Sequence, residues 1–262
     1  MSTRTSTAAM VTLALMVGLI AVPGGRAAIV VHYSFDNSGD LLADSSGNDY
    51  DGTEQNAPNL AQHTTDPRFG TGALHFDGDN DNHIQIDTNL STADFPDENA
   101  TLMAWVKESN NGYWMNLGGA GNNHLTWGNK TPYLSAFQPS RTNYGQWSNT
   151  DTNWDKNEWN HYAIVNDKDN DEYRVYVNGL YHNGQTTASS SFTLGDKHIG
   201  DAGAYDFQGV FDEFYLMNDA LTQAEIQYYM DNNTAIPEPA SFALLVLGLT
   251  GLLTRRPRRR RA

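Results

Sequence analysis

Short runs in which apolar and polar residues alternate recur through the middle of this chain, each bounded by turn-forming residues. Ile29 to Phe35, His83 to Asp87, Thr101 to Lys107, Trp159 to Asn166, Glu172 to Asn178 and Gly209 to Met217 have the period of two that sends successive side chains to opposite faces of a sheet. In Thr101 to Lys107, Leu102, Ala104 and Val106 share one face while Met103 and Trp105 share the other. Both faces are apolar, which predicts a strand lying between two layers. Asn178-Gly179, between Tyr173–Val177 and Leu180-Tyr181, predicts a hairpin turn of the kind that needs positive φ. One helix is predicted, from Gln223 to Met230, where Thr222 and Glu225 have capping-box spacing and Leu221, Ile226 and Tyr229 lie on one side.

The two ends read differently. Residues 1–27 combine a charged start at Arg4, an apolar run from Ala8 to Val22 and small residues Gly25 and Ala27 before a cut after Ala27, the layout of a secretory signal peptide. Residues 235–262 carry Pro237-Glu238-Pro239, the apolar stretch Phe242 to Leu253 and a terminal arginine cluster, a short membrane-seeking segment held by cations on the cytoplasmic side. In that order the three parts resemble a PEP-CTERM sorting signal. The resemblance implies export in a Gram-negative bacterium, processing by an exosortase-type transpeptidase, transient membrane anchoring, and delivery to the cell surface or extracellular matrix.

Between these ends, residues 28–234 are expected to form one domain. Six of the 16 basic residues belong to the terminal arginine cluster and two more, Arg4 and Arg26, lie near the N-terminus, so between Ala27 and Ala235 eight Lys or Arg face 30 Asp or Glu, a net charge of −22. Such a surface repels phosphate backbones and anionic lipid heads and attracts divalent cations, which argues against nucleic acid as a partner. With no cysteine, an exported domain must draw its stability from core burial, helped by metal where one binds.

Several segments carry a second resemblance, among them His32–Asp36, Gly72–Gly78, Thr101–Lys107, Trp159–Ala163, Val175–Gly179, Gln208–Phe214 and Ala220–Ile226. Their collinear order is similar to the LamG-like, concanavalin A-like domain. That resemblance implies an all-β fold, a two-sheet antiparallel jelly-roll sandwich with one short C-terminal helix. Asn178 stands where the family usually has Asp, and the turn remains plausible.

Strict alternation along Val210–Met217 puts Asp212 with Val210, Phe214 and Leu216, and Glu213 with Phe211, Tyr215 and Met217. One carboxylate must then sit among apolar side chains, where it needs a cation, hydrogen bonds or a proton. The resemblance implies a structural calcium, with Asp36, Asp77, Gly78 and Asp212 as ligands, some through backbone oxygen. Asp77–Asn82 and Asp167–Glu172 look like the start of a calcium loop, but the second has Glu172 where an EF-hand needs Gly, so both are expected to be solvated turns.

Glycoside hydrolysis needs paired carboxylates, and the Glu-x-Asp-x-x-Glu strand of β-glucan-cutting relatives does not occur. No Gly-x-Ser-x-Gly is present either, and no enzymatic activity is expected. Trp105 and Trp159 fall in strand segments and are expected in the core. Trp114, Trp127, Tyr133, Tyr144 and Trp147 crowd a stretch rich in Asn, Gln and Gly, a mixture that suits stacking on pyranose rings and hydrogen bonding to hydroxyls. The same rings would equally close the groove of the sheet, and both readings stay open. The chain is therefore expected to bind glycan or matrix polymer without catalysis. The alternatives are a structural or adhesive protein with protein partners, and a hydrolase with an unfamiliar acid pair. Truncation at Ala235 is expected to leave the domain folded but unattached; its retention in the envelope fraction would overturn the sorting assignment.

Overall fold

A computed structural model gives the architecture, describing residues 28–55, 61–63, 66–78, 83–109, 113–118, 125–130, 133–137, 143–148, 155, 157–186, 196–200 and 207–234, with backbone alone for 61–63, 113–148, 183–186 and 196. Residues 1–27 and 235–262, with Pro237, Glu238 and Pro239, lie outside the described residues. No helix among the described residues is long and apolar enough to cross a membrane.

The strands are β1 (Ile29–Tyr33), β2 (Thr53–Gln55), β3 (Ala61–His63), β4 (Ala73–Asp77), β5 (His83–Gln85), β6 (Ala100–Glu108), β7 (Tyr113–Gly118), β8 (Leu125–Lys130), β9 (Tyr133–Phe137), β10 (Asn143–Ser148), β11 (Asn160–Asp167), β12 (Glu172–Val177), β13 (Leu180–Thr186), β14 (Asp196–Ile199) and β15 (Gln208–Met217). The helix α1 (Gln223–Asn232) closes the order. They form two antiparallel sheets, an eight-stranded one in the order β13-β12-β11-β6-β15-β4-β3 with β1 also pairing β15, and a seven-stranded one in the order β10-β9-β8-β7-β14-β5-β2. This is the expected all-β jelly-roll sandwich.

Burial of apolar area drives the two sheets together. The larger sheet contributes Tyr33, Leu74, Leu102, Val106, Ile164 and Phe211 to the inner core, and the smaller contributes Ile84, Ile86 and Ile199. A second cluster lies on the outer face of the larger sheet, where Met103, Val165, Tyr215 and Met217 pack under Leu221, Ile226 and Tyr229 of the helical segment. The two apolar faces of β6 are thus accounted for: Leu102, Ala104 and Val106 meet the other sheet, and Met103 meets α1.

Local chemistry sets the turns and caps. Asn178 and Gly179 both have positive φ, 50° and 72°, as a two-residue hairpin of this kind requires. The α1 capping box is complete, with Thr222 accepting from the Glu225 amide and Glu225 returning to the Thr222 amide. Asp167–Glu172 is a β11–β12 turn in which the Asp167 carboxylate accepts from the Asn170 amide and from Arg174. Residues 79–82 of the other acidic run lie outside the described residues.

The strict alternation expected along Val210–Met217 is broken by one residue. On β6, Trp105 faces Asp212 and Met103 faces Tyr215, so three steps along β15 match two along β6. The extra residue makes a bulge in which Glu213 takes φ 52°. Phe211 and Phe214 consequently both enter the inner core, and Asp212 and Glu213 fall together on the outer side. Neither carboxylate sits between the sheets. Truncation of Ile226 to Ala is expected to cost about 2–4 kcal/mol in chemical denaturation, against about 1 kcal/mol for Thr222→Ala, which loses only a cap.

Candidate functional site

Residues 66–72, which lead into β4, form a strap over the outer face of the larger sheet, fixed from both flanks by carboxylates. Asp212 is fully buried, and its Oδ2 accepts from the backbone amides of Arg68 at 2.7 Å and Phe69 at 3.0 Å. Asp36 Oδ1 accepts from the amides of Thr71 and of Gly72, the latter at 3.0 Å. Gly70 is required here: its φ is +59°, and a Cβ would run into the Asp36 carboxylate. Farther along, the Asp66 carbonyl accepts from Trp159 Nε1 at 3.1 Å and its carboxylate pairs with Lys107 at 2.9 Å.

Beneath the strap lies the cross-strand row His161, Trp105 and Asp212. Asp212 Oδ1 is buried with no hydrogen-bond partner among the described residues. Desolvation pushes the Asp212 carboxyl up to about 8, against the lowering by the Phe69 and Arg68 amides, and the Glu213 and Asp36 charges add to the rise. His161, packed edge-on to Trp105 at 5.3 Å, is pushed down to about 3 by desolvation and by the Arg68 charge, so it is neutral. Glu213 has a different partner, His32 Nε2 at 2.7 Å, and the His32 ring stacks on Tyr215 at 4.0 Å.

The four residues expected around calcium are divided by this geometry. Asp36 and Asp212 grip the same strap. Leu74 pairs with Phe211 and Asp77 with Gln208, so from the level of Asp212 it is four residues along β4 to Asp77 and five to Gly78, roughly 13 Å or more away. Among the described residues no group of three or more metal-ligating side chains comes together. Trp105 is buried as expected, on the outer face; Trp159 precedes β11 and is only half-buried.

The smaller sheet presents a second region. Thr53, Gln85, His198, Asn116 and Thr126 occupy one continuous cross-strand row over β2, β5, β14, β7 and β8. It alternates with the row of Ile84 and Ile199, which enters the core. Gln85 Nε2 donates to the carbonyls of Ile86 and Lys197, so its oxygen must accept, and His198 carries its proton on Nε2 at 2.8 Å. The His83 ring lies 4.2 Å from that of His198. These two histidines lie far apart in the chain and are brought together by strand register, not by spacing.

For the five aromatics expected at the ligand site, only strand positions are described. Trp127 and Tyr144 share the row of Ile84, Ile199, Met115 and Ala136. Tyr133 stands opposite Lys130, Trp147 opposite Leu134, and Trp114 falls in a register shift between Tyr113 and Met115. Their side chains lie outside the described residues.

Two stacked antiparallel sheets of this order, with one helix on the outer face, define a lectin-like sandwich. The chain belongs to the concanavalin A-like lectin/glucanases superfamily, whose third laminin G family model matches residues 77–227. Among solved structures it resembles domain 4 of AbnA, a GH43 extracellular arabinanase from Geobacillus stearothermophilus, in complex with arabinotriose. Identity is 22% and the TM-score 0.52, covering 78% of this chain and 98% of that domain. It also resembles the botulinum neurotoxin serotype D binding domain, at 13% identity and a TM-score of 0.62, covering 79% of this chain but only 51% of the toxin domain. The type G receptor binding domain gives 14%, 0.56, 79% and 51%. These likenesses establish a shared fold. No curated protein matches the chain by sequence.

The buried carboxyl makes stability pH-dependent. Asp212 has an ordinary value of 3.8 in the unfolded chain and about 8 in the fold, so the folded state holds the extra proton between them. Its contribution is fully present below about pH 4 and is lost as pH rises through about 8. Asp212→Asn, which keeps an acceptor for the two amides, is expected to remove that slope from a series of Tm measurements between pH 5 and 9.

Proposed function

We propose that this is an exported, non-catalytic sandwich that binds carbohydrate or extracellular matrix polymer. The observation that carries the reading is the row of hydrogen-bonding residues Thr53, Gln85, His198, Asn116 and Thr126 across five strands, alternating with a core row. Neutral hydroxyl-rich polymers suit such a face, since amides and imidazoles both donate and accept. The fold is shared with a domain solved with arabinotriose, which supports the same class of ligand. The two central carboxylates, Asp212 and Glu213, are occupied by the strap and by His32, an arrangement that speaks for structural work. Export and surface display rest on residues 1–27 and on the Pro237-Glu238-Pro239 segment, with an exosortase-type enzyme as the processing partner.

Calcium belongs to the proposal as a structural ion. The orphaned Asp212 Oδ1 and the neighbouring Asp36 carboxylate fit a hard cation, which would replace the proton that burial otherwise imposes. Asp77 and Gly78 are too far along β4 to share it. Asp212→Ala is expected to lower the Tm more in calcium than in EDTA, and equal losses would count against a metal there.

A glycan array probed with and without chelator tests the reading. Retention of neutral polysaccharide without release of reducing sugar is the expected result. Binding to no glycan would favour an adhesive protein with protein partners, and released sugar would revive a hydrolase.

A further inference from the structure

Among the described basic side chains, Arg68 alone has no acceptor for its charge. Lys107 pairs with Asp66, Lys168 with Asp171, and Arg174 with Asp167 and Glu172. Lys197 donates to the carbonyls of Leu90 and Thr88. The guanidinium of Arg68, an exposed residue, instead lies over the Trp105 ring at 4.1 Å and the Phe69 ring at 4.8 Å. In a segment where 30 acidic residues face eight basic ones, an arginine left unpaired is unexpected on numbers alone.

Its surroundings hold it in place. The Arg68 and Phe69 amides are gripped by Asp212, and Thr71 and Gly72 by Asp36, so the strap cannot drift. Stacking on two rings limits the rotamers of the side chain while leaving its planar fork of N–H donors unsatisfied. Two residues back along the strap, the Asp66 carbonyl accepts from Nε1 of the half-buried Trp159, which ties that indole to the same segment.

The geometry points to Arg68 and Trp159 as a subsite for a uronic-acid residue of a polysaccharide, with the fork taking the carboxylate and the indole taking the apolar face of the pyranose. A carboxylate matches the fork with two parallel charge-assisted hydrogen bonds. The excess negative charge of the domain disfavours densely charged polymers. At physiological salt the field of distant carboxylates is screened over about 8 Å, so an isolated carboxylate responds mainly to Arg68. This inference rests on the carbohydrate-binding reading and adds a ligand class and a second location, on the strap side of the larger sheet.

Calorimetric titration of the domain tests it with three probes: a tetrasaccharide alternating glucuronate and glucose, its carboxyl-reduced counterpart, and a glutamate-rich peptide. The expected result is binding of the glucuronate probe at least about tenfold tighter than the reduced one. Arg68→Gln is expected to abolish that difference and Arg68→Lys to retain part of it, with circular dichroism confirming that both variants are folded. Equal affinity for the two saccharides, a preference that survives Arg68→Gln, or tighter binding of the peptide overturns the subsite and leaves the broader reading standing. Arg68-dependent glucuronate binding with no binding of the reduced probe would sink the sheet-face site and leave this one. Failure of every saccharide to bind overturns both.

Discussion

β15 runs down the middle of the larger sheet, and the extra residue at Glu213 decides which of its side chains reach which layer. Without the bulge, parity would drive one carboxylate into the apolar space between the sheets. With it, Phe211 and Phe214 both enter the core, while Asp212 and Glu213 turn outward to bind the strap and His32. The cost is a non-glycine residue at φ 52°, which the Glu213–His32 contact and the packing of Tyr215 offset. The strap, the stacked Arg68 and the seat of the helix all depend on that one shift of register.

Most of the larger sheet was legible in the sequence. β6, β11, β12 and β15 alternate cleanly or are apolar on both faces, the Asn178-Gly179 turn announces its hairpin, and the Thr222–Glu225 box marks the start of α1. The bulge was not legible, because a register shift depends on the neighbouring strand: β15 alone reads as ten residues of ordinary alternation. Strands β7 to β10 escaped for another reason. Asn, Gly and Gln run through β7, β8, β10 and the stretches between them, a composition that matches loops, and pairing between neighbours, not local propensity, makes them strands.

The candidate sites divide in the same way. Asp36 and Asp212 could be singled out as buried or ligating carboxylates, yet their common target, the amides of residues 68–72, lies far from both in sequence. Arg68 drew no attention, since nothing in a lone arginine signals that its charge will be left unmatched. The pairing of His83 with His198 is likewise a product of topology. Acid–base and aromatic residues are visible in a sequence; who stands opposite them is not.

The helix that covers the outer cluster is also the last element among the described residues, and β1 and β15 are stitched together just upstream by Ala28 and Asn218. Tension applied at Thr234 therefore loads α1 before any strand. Peeling it away would bare Met103, Tyr215 and Met217 while both sheets kept their backbone ladders. A tether at this end would make the helix a mechanical fuse, yielding first and sparing the sandwich.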